Sequence, residues 1–141
     1  MSDFYDSLEI RSPDEREATL MAALPAQIAH AQQRSAAFAE ILKGVDATSI
    51  TNRSALAQLP VTRKSELLER QAALRPRQIF GGFNAIGLGH DMPRLFASPG
   101  PIYEPESRRP DYWRMARSMY AAGFRAGELV RGGGRPAAAS A

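Results

Sequence analysis

The chain of 141 residues contains no cysteine, two histidines, one tryptophan and only two lysines among its 18 basic residues. Without cysteine there is no disulfide framework and no thiolate zinc site. Two histidines, His30 and His90, leave little room for imidazole chemistry. His30 sits among Ala and Gln, where a surface or packing role is the simpler reading. His90-Asp91 is an adjacent pair beside glycines, and adjacency does not make a triad. No HxH, HExxH or carboxylate cluster marks a metal site. From the residues alone, no catalytic residue and no metal ligand is assigned. The scarcity of lysine against arginine, with abundant alanine, argues for compositional bias rather than a nucleic-acid footprint.

Long apolar runs are also missing. The longest uncharged stretch, 18–33, holds Pro25, His30 and three glutamines, too short and too polar to cross a bilayer. Near the start stand Asp3, Asp6 and Glu9, where a secretory signal would carry basic residues before an apolar run. The expectation is a cytoplasmic chain with no membrane and no nucleic-acid partner.

What is present suits a globular chain. Hydrophobic residues make up 44% and the net charge is +3, so collapse to a core is expected and wholesale disorder is not. Charge is uneven. Residues 1–62 hold 8 acids and 5 bases (−3), and residues 63–141 hold 7 acids and 13 bases (+6).

Ser12-Pro13-Asp14-Glu15 reads as a helix start, with Ser12 as N-cap, Pro13 in the first turn and Glu15 closing a capping box. Leu20, Leu24 and Ile28 make an apolar stripe, and Pro25 predicts a break or kink near Leu24. Ser35 is expected to cap a short helix with Phe38, Ile41 and Leu42, ended by Gly44. Thr51 is expected to cap another, carrying Leu56 and Leu59. Thr62 is expected to cap a helix from Arg63 to about Leu74, with Leu67 and Leu68 inward and Glu66 spaced to pair with Arg70.

After Arg75-Pro76 the texture changes to Gly81-Gly82-Phe83 and Gly87-Leu88-Gly89, which are turn residues. Arg94 to Ser98 predicts a short strand. Pro99-Gly100-Pro101 and Pro105 require loop or extended backbone. The pattern from Pro110 to Ala122 predicts a helix, with Trp113, Ala116 and Tyr120 on one face and Gly123 as its C-cap. Glu128-Leu129-Val130 begins like a buried strand, and residues 131–141 read as a flexible low-complexity tail. Arg108, Arg109, Arg114 and Arg117 are a conceivable anion or nucleic-acid patch, but a solvated helix face is the simpler reading.

The stretch from Phe96 to Pro105 is the best place for a ligand, because a loop after a strand is a common phosphate site. Read from its residues, with three prolines, one glycine, one serine and Glu104, it fits a rigid structural loop better.

The order of these pieces resembles the N-terminal portion of phenylacetate-CoA ligases, members of the acyl-adenylate-forming, AMP-binding enzymes. The carriers are Tyr5-Asp6-Ser7-Leu8-Glu9 with Arg11-Ser12-Pro13, Glu15-Arg16-Glu17, Leu24-Pro25 and Ile28, and then Gly44-Val45-Asp46. They continue with Leu59-Pro60-Val61-Thr62-Arg63-Lys64-Ser65-Glu66-Leu67 and end with Ala121-Ala122-Gly123-Phe124-Arg125-Ala126-Gly127-Glu128-Leu129-Val130. The likeness spans residues 4–130.

The resemblance implies a chain that is mostly α with a small β component, the incomplete N-terminal portion of an α/β adenylate-forming ligase fold. It divides into a helical region (1–75), the start of an AMP-binding-type domain (76–130) and the tail (131–141). The family's phosphate loop resembles Ser-Ser-Gly-Thr-Thr-Gly-x-Pro. Ser98, Gly100 and Pro105 match it, which makes Ser98 and Gly100 the implied cofactor-binding residues. Pro99, Pro101 and Ile102 replace hydroxyl residues, Tyr103 replaces the second glycine, and Glu104 stands where a basic residue is common.

The intact reaction implied is ATP-dependent joining of an aromatic carboxylic acid to coenzyme A through an acyl-adenylate, with ATP, coenzyme A and Mg as its cofactors. The parts that carry that chemistry lie downstream in the family. The chain alone is therefore expected to be a truncated, inactive member that binds none of these cofactors and self-associates through exposed apolar surface. The competing expectation is a non-catalytic helical module that binds a protein partner.

Overall fold

The computed structural model describes residues 3–125. The chain is mostly helical with one small two-stranded antiparallel sheet. The expected strand at Glu128-Leu129-Val130 and the tail 131–141 lie outside the described residues. The chain divides into two compact units, one made of residue 11 and those before it together with residues from 113 onward, the other of residues 12–112.

In the larger unit, helix α1 (Pro13–Arg34) opens on a complete capping box. The Glu15 N–H donates to the Ser12 hydroxyl at 3.2 Å, and the Ser12 N–H donates to the Glu15 carboxylate at 2.8 Å. Each bond satisfies a donor that a helix start leaves orphaned. Of the expected break or kink near Leu24, the break does not occur: the helix runs 22 residues through Pro25. Proline removes one hydrogen bond and crowds the carbonyl four residues back. Leu24 before that point and Ile28 and Ala31 after it belong to one core cluster, so a single apolar face spans the proline. Leu20, expected on the same stripe, is exposed, because the core begins only at Leu24.

Ser35 ends α1 and caps α2 (Ala36–Ile41), and Gly44 leaves it with φ +82°. Gln32 on α1 donates its amide to the Leu42 and Val45 carbonyls at 3.1 and 2.9 Å. The Leu42 carbonyl, at the C-cap of α2, also accepts from the Val45 N–H at 3.0 Å, so Gln32 ties α1 to the turn that leaves α2. A 3-10 turn (Ala47–Ser49) and helix α3 (Arg53–Leu56) follow. Asn52, not Thr51, caps α3, its side chain accepting from the Ala55 N–H at 2.9 Å. Ile28, Leu42 and Ile50 form the buried centre of this region, with Phe38, Val45 and Leu59 against it.

Helix α4 (Lys64–Leu74) starts one residue later than expected. Its N-cap position is Arg63, whose N–H donates to the Glu66 carboxylate at 2.9 Å, and no Thr62 side-chain cap forms. Strands β1 (Arg94–Ser98) and β2 (Ile102–Glu106) make the hairpin, in register from Arg94 opposite Glu106 to Ser98 opposite Ile102. The Arg94–Glu106 ion pair at 3.1 Å closes its open end.

In the smaller unit, helix α5 is only Ala116–Ala121. The expected helix from Pro110 does not form over its first half, because Asp111 (φ 50°) and Arg114 (φ 55°) take left-handed backbone. The N-terminal residues join α5 through Arg117, which binds the Asp6 carboxylate at 2.8 Å, and through an edge contact of the Tyr5 and Tyr120 rings at 5.8 Å.

Candidate functional site

The implied phosphate loop is the end of the hairpin. Pro99, Gly100 and Pro101 make a three-residue turn, with Ser98 opposite Ile102. The two prolines fix φ on either side of Gly100, which holds φ +144°. Ser98 is half-buried and Gly100 exposed. An anion here would need convergent N–H groups and hydroxyls. Pro99 and Pro101 supply none, and the Tyr103 N–H is already given to the Gln71 side chain at 2.8 Å. Glu104 adds an exposed negative charge opposite Phe96. This donor set does not fit the phosphates of ATP.

Behind the hairpin lies the largest fully buried side chain of the described residues, Gln71 on α4, which is 1% exposed. Its amide accepts from the Tyr103 N–H and donates to the Tyr103 carbonyl at 3.0 Å, with a longer contact to the Phe80 carbonyl at 3.5 Å. One side chain thereby fills the hydrogen bonds that a third strand would offer β2 at Tyr103. The sequence reading passed over Gln71. Its signal was position, since Gln71 stands three and four residues after Leu68 and Leu67, on the inward stripe of α4.

Gly81 and Gly82 bring the chain back against α4 and the start of α2. The Gly82 carbonyl accepts from the Ser35 hydroxyl at 2.8 Å and the Ala37 N–H at 3.0 Å, and the Gly81 carbonyl accepts from Arg70 at 2.7 Å. Gly81 has φ +63°, and a Cβ there would stand 3.0 Å from the Gln71 backbone nitrogen. Only glycine fits this approach. Arg70 also pairs with Glu40 at 2.7 Å and lies over the Phe83 ring. The expected pairing of Arg70 with Glu66 does not form, because Arg70 turns toward Glu40 while Glu66 caps its own helix.

Beside Arg70 an open cleft of about 470 Å³ runs between Ile41 and Phe83 on one side and Thr62, Glu66, Glu69 and Ala73 on the other. Its cation is committed to Glu40 and the Gly81 carbonyl, so the cleft offers an apolar floor and two carboxylates. It holds no histidine, serine or lysine for nucleophile and base chemistry.

His30 is exposed. His90 and Asp91 approach at 3.5 Å with both side chains more than four-fifths exposed, in keeping with a loop role. The four arginines do not share a helix face: only Arg117 lies on α5. Arg108 donates to the His90 carbonyl at 2.7 Å. The hydrogen bond from Arg117 holds the Asp6 carboxyl below its usual range, with help from the Leu8 N–H and against some desolvation. Arg53 does the same for Glu17, and the Thr48 hydroxyl and N–H do so for Asp46. These are surface ion pairs and turns. Among the described residues no group of three or more His, Asp or Glu side chains is placed to hold a metal ion, and no helix is long and apolar enough to cross a membrane.

Comparison with protein-family models, with curated proteins and with solved structures finds no match.

Proposed function

We propose that the chain is a non-catalytic N-terminal segment of the phenylacetate-CoA ligase type, whose intact enzyme joins an aromatic carboxylic acid to coenzyme A through an acyl-adenylate. The observation that carries this reading is the ordered series of resembling motifs, from Tyr5 to Val130, in one consistent sequence order. The local structure of several of them supports it. Ser12-Pro13 and Glu15 build the cap of α1, Gly44 ends the α2 region, and Leu59 to Leu67 lead into α4. The prolines at 99 and 101 and the commitment of the Tyr103 N–H to Gln71 support the inactive half of the reading, since they leave this turn few donors for a phosphate.

Purified chain is expected to form no acyl-CoA and release no AMP from ATP when supplied with coenzyme A, Mg and phenylacetate. Heat-labile turnover would sink the inactive reading. The nucleotide sequence following codon 141 tests the family reading: an open frame resuming the ligase pattern would support it, and its absence would count against it.

A second reading, a helical module that binds a protein partner, is favoured by surface chemistry. Val61, Leu88, Ile10 and Leu20 are each more than half exposed, while the buried hydrophobic side chains among the described residues are Ile28, Ala37, Leu42, Ile50, Phe80 and Ile102. Exposed apolar surface of that kind also suits self-association. Sedimentation of the pure chain separates the two. Concentration-dependent oligomers support self-association, and a persistent monomer favours the partner-binding module.

A further inference from the structure

The two strands of the hairpin have unlike outer edges. In an antiparallel pair, opposed residues alternate between turning N–H and carbonyl toward each other and turning both away. Tyr103 gives its N–H and its carbonyl to Gln71, at 2.8 and 3.0 Å, so it and its opposite residue Ala97 are of the outward kind. Leu95 and Pro105, two residues along, are of the same kind, and a proline stands there without removing a ladder bond. Leu95 and Ala97 therefore turn their N–H and carbonyl groups off the open edge of β1. Among the described residues the sheet has no third strand, and these four groups have no backbone partner.

Open strand edges attract other strands, and proteins guard them with proline, with charge or by covering them. The edge of β2 has all three guards, in Pro105, in the exposed Glu104 and in Gln71. β1 has one charge, Arg94, at its end, and its residues from Arg94 to Ala97 are exposed. Pro93 and Pro99 bracket it, so its usable edge is the pair Leu95 and Ala97.

We propose that β1 pairs with β1 of a second copy of this chain, antiparallel, about a two-fold axis at Phe96. Leu95 of each copy then lies opposite Ala97 of the other, and the two pairs exchange four backbone hydrogen bonds. A shift of two residues in either direction would set one carbonyl of each copy against a proline, so this register alone uses every outward group. Arg94 faces Ser98 of the second copy, and like charges do not meet. The hairpin has one open edge, because Gln71 holds the other, so the assembly closes at two copies. Such a dimer is a defined form of the self-association that exposed apolar surface suits, and it rests on that reading rather than on the ligase resemblance.

Sedimentation equilibrium and amide hydrogen exchange of the full chain test this together. The expected result is a monomer–dimer equilibrium, with the Leu95 and Ala97 amides protected where the dimer forms and labile where the chain is monomeric. Ala97→Pro removes one donor per copy, on the side away from β2, and is expected to weaken the dimer by about thirtyfold, the worth of two backbone hydrogen bonds. Ala97→Val keeps the donor and is expected to dimerise as the parent does. If the proline variant does not fold, the exchange of the parent decides. Oligomers in which Leu95 and Ala97 exchange freely would overturn the edge pairing and leave self-association through apolar side chains. A chain monomeric at millimolar concentration would overturn both. Protection of the two amides in a sample that sediments as monomer would also overturn the pairing, since the chain itself would then cover the edge.

Discussion

Replacing Gln71 by leucine would remove the amide that stands in for a strand beside β2 while keeping a side chain of similar volume. Two good hydrogen bonds are lost, at 2.8 and 3.0 Å, each worth about 1 kcal/mol net. The Tyr103 N–H and carbonyl also lose their partner. A wholly buried unsatisfied group costs about 1–3 kcal/mol, but Tyr103 is half-buried, so water recovers part of that. The sum is about 2–4 kcal/mol, a large share of the 5–15 kcal/mol typical of a domain. In a urea titration followed by far-UV circular dichroism, with a slope of about 1–3 kcal/mol per molar, the midpoint should fall by roughly 1–2 M.

Gln71→Glu gives the argument a second arm. A protonated glutamic acid reproduces the amide pattern, donating to the Tyr103 carbonyl and accepting from its N–H. The carboxylate cannot donate to the Tyr103 carbonyl and is buried, so its folded pKa is raised. Such a group leaves stability intact below its unfolded pKa, about 4.3, and loses it as pH rises toward the folded value. The variant should therefore approach the parent near pH 4 and fall well below it at pH 7. A leucine variant as stable as the parent, or a glutamate deficit equal at both pH values, would refute the strand-partner role of Gln71.

Gly81→Ala should cost more than Gly44→Ala in the same titration. Both meet the left-handed penalty of about 1–2 kcal/mol, but only at Gly81 would a Cβ strike backbone, 3.0 Å from the Gln71 nitrogen; equal losses would remove the close-approach argument. Pro25→Ala should stabilise α1 by about 1–3 kcal/mol, up to the interior cost of proline relative to alanine, read as a higher urea midpoint. Asp6, held low by Arg117, contributes stability above its unfolded pKa of about 3.9 that is lost as pH falls through the depressed value. An NMR titration of its carboxyl should show a midpoint below the ordinary range that moves back toward it in Arg117→Gln, the Leu8 N–H keeping part of the depression.

Local chemistry alone determined the starts of α1 and α2 and the ends of α2, α4 and α5. The Ser12 capping box, the Ser35 cap and the Gly44 exit were legible because each depends on residues within a few positions of one another. The strand from Arg94 to Ser98 was legible for the same reason. The mostly helical character with a small β component follows from these pieces, whereas the pairing of Ile102–Glu106 with the first strand was not read from the sequence. The loop that the ligase resemblance singles out, with Ser98 and Gly100, was thus placed by sequence, and its poor supply of phosphate donors was already written in Pro99 and Pro101.

Tertiary contacts decided the rest. Pro25 reads as a breaker to any local rule, yet α1 continues because packing on both sides of it outweighs one lost bond. Arg70 has a helical partner at Glu66 and instead takes Glu40 and the Gly81 carbonyl, which are remote in sequence and brought near only by folding. Gln71 looks like an ordinary helix residue until β2 is laid against it. Asp111 and Arg114 leave the helical backbone that their sequence favours. Propensity is a sum of small terms over neighbours, whereas a single long-range contact fixes a residue whose local preferences differ by only about 1 kcal/mol.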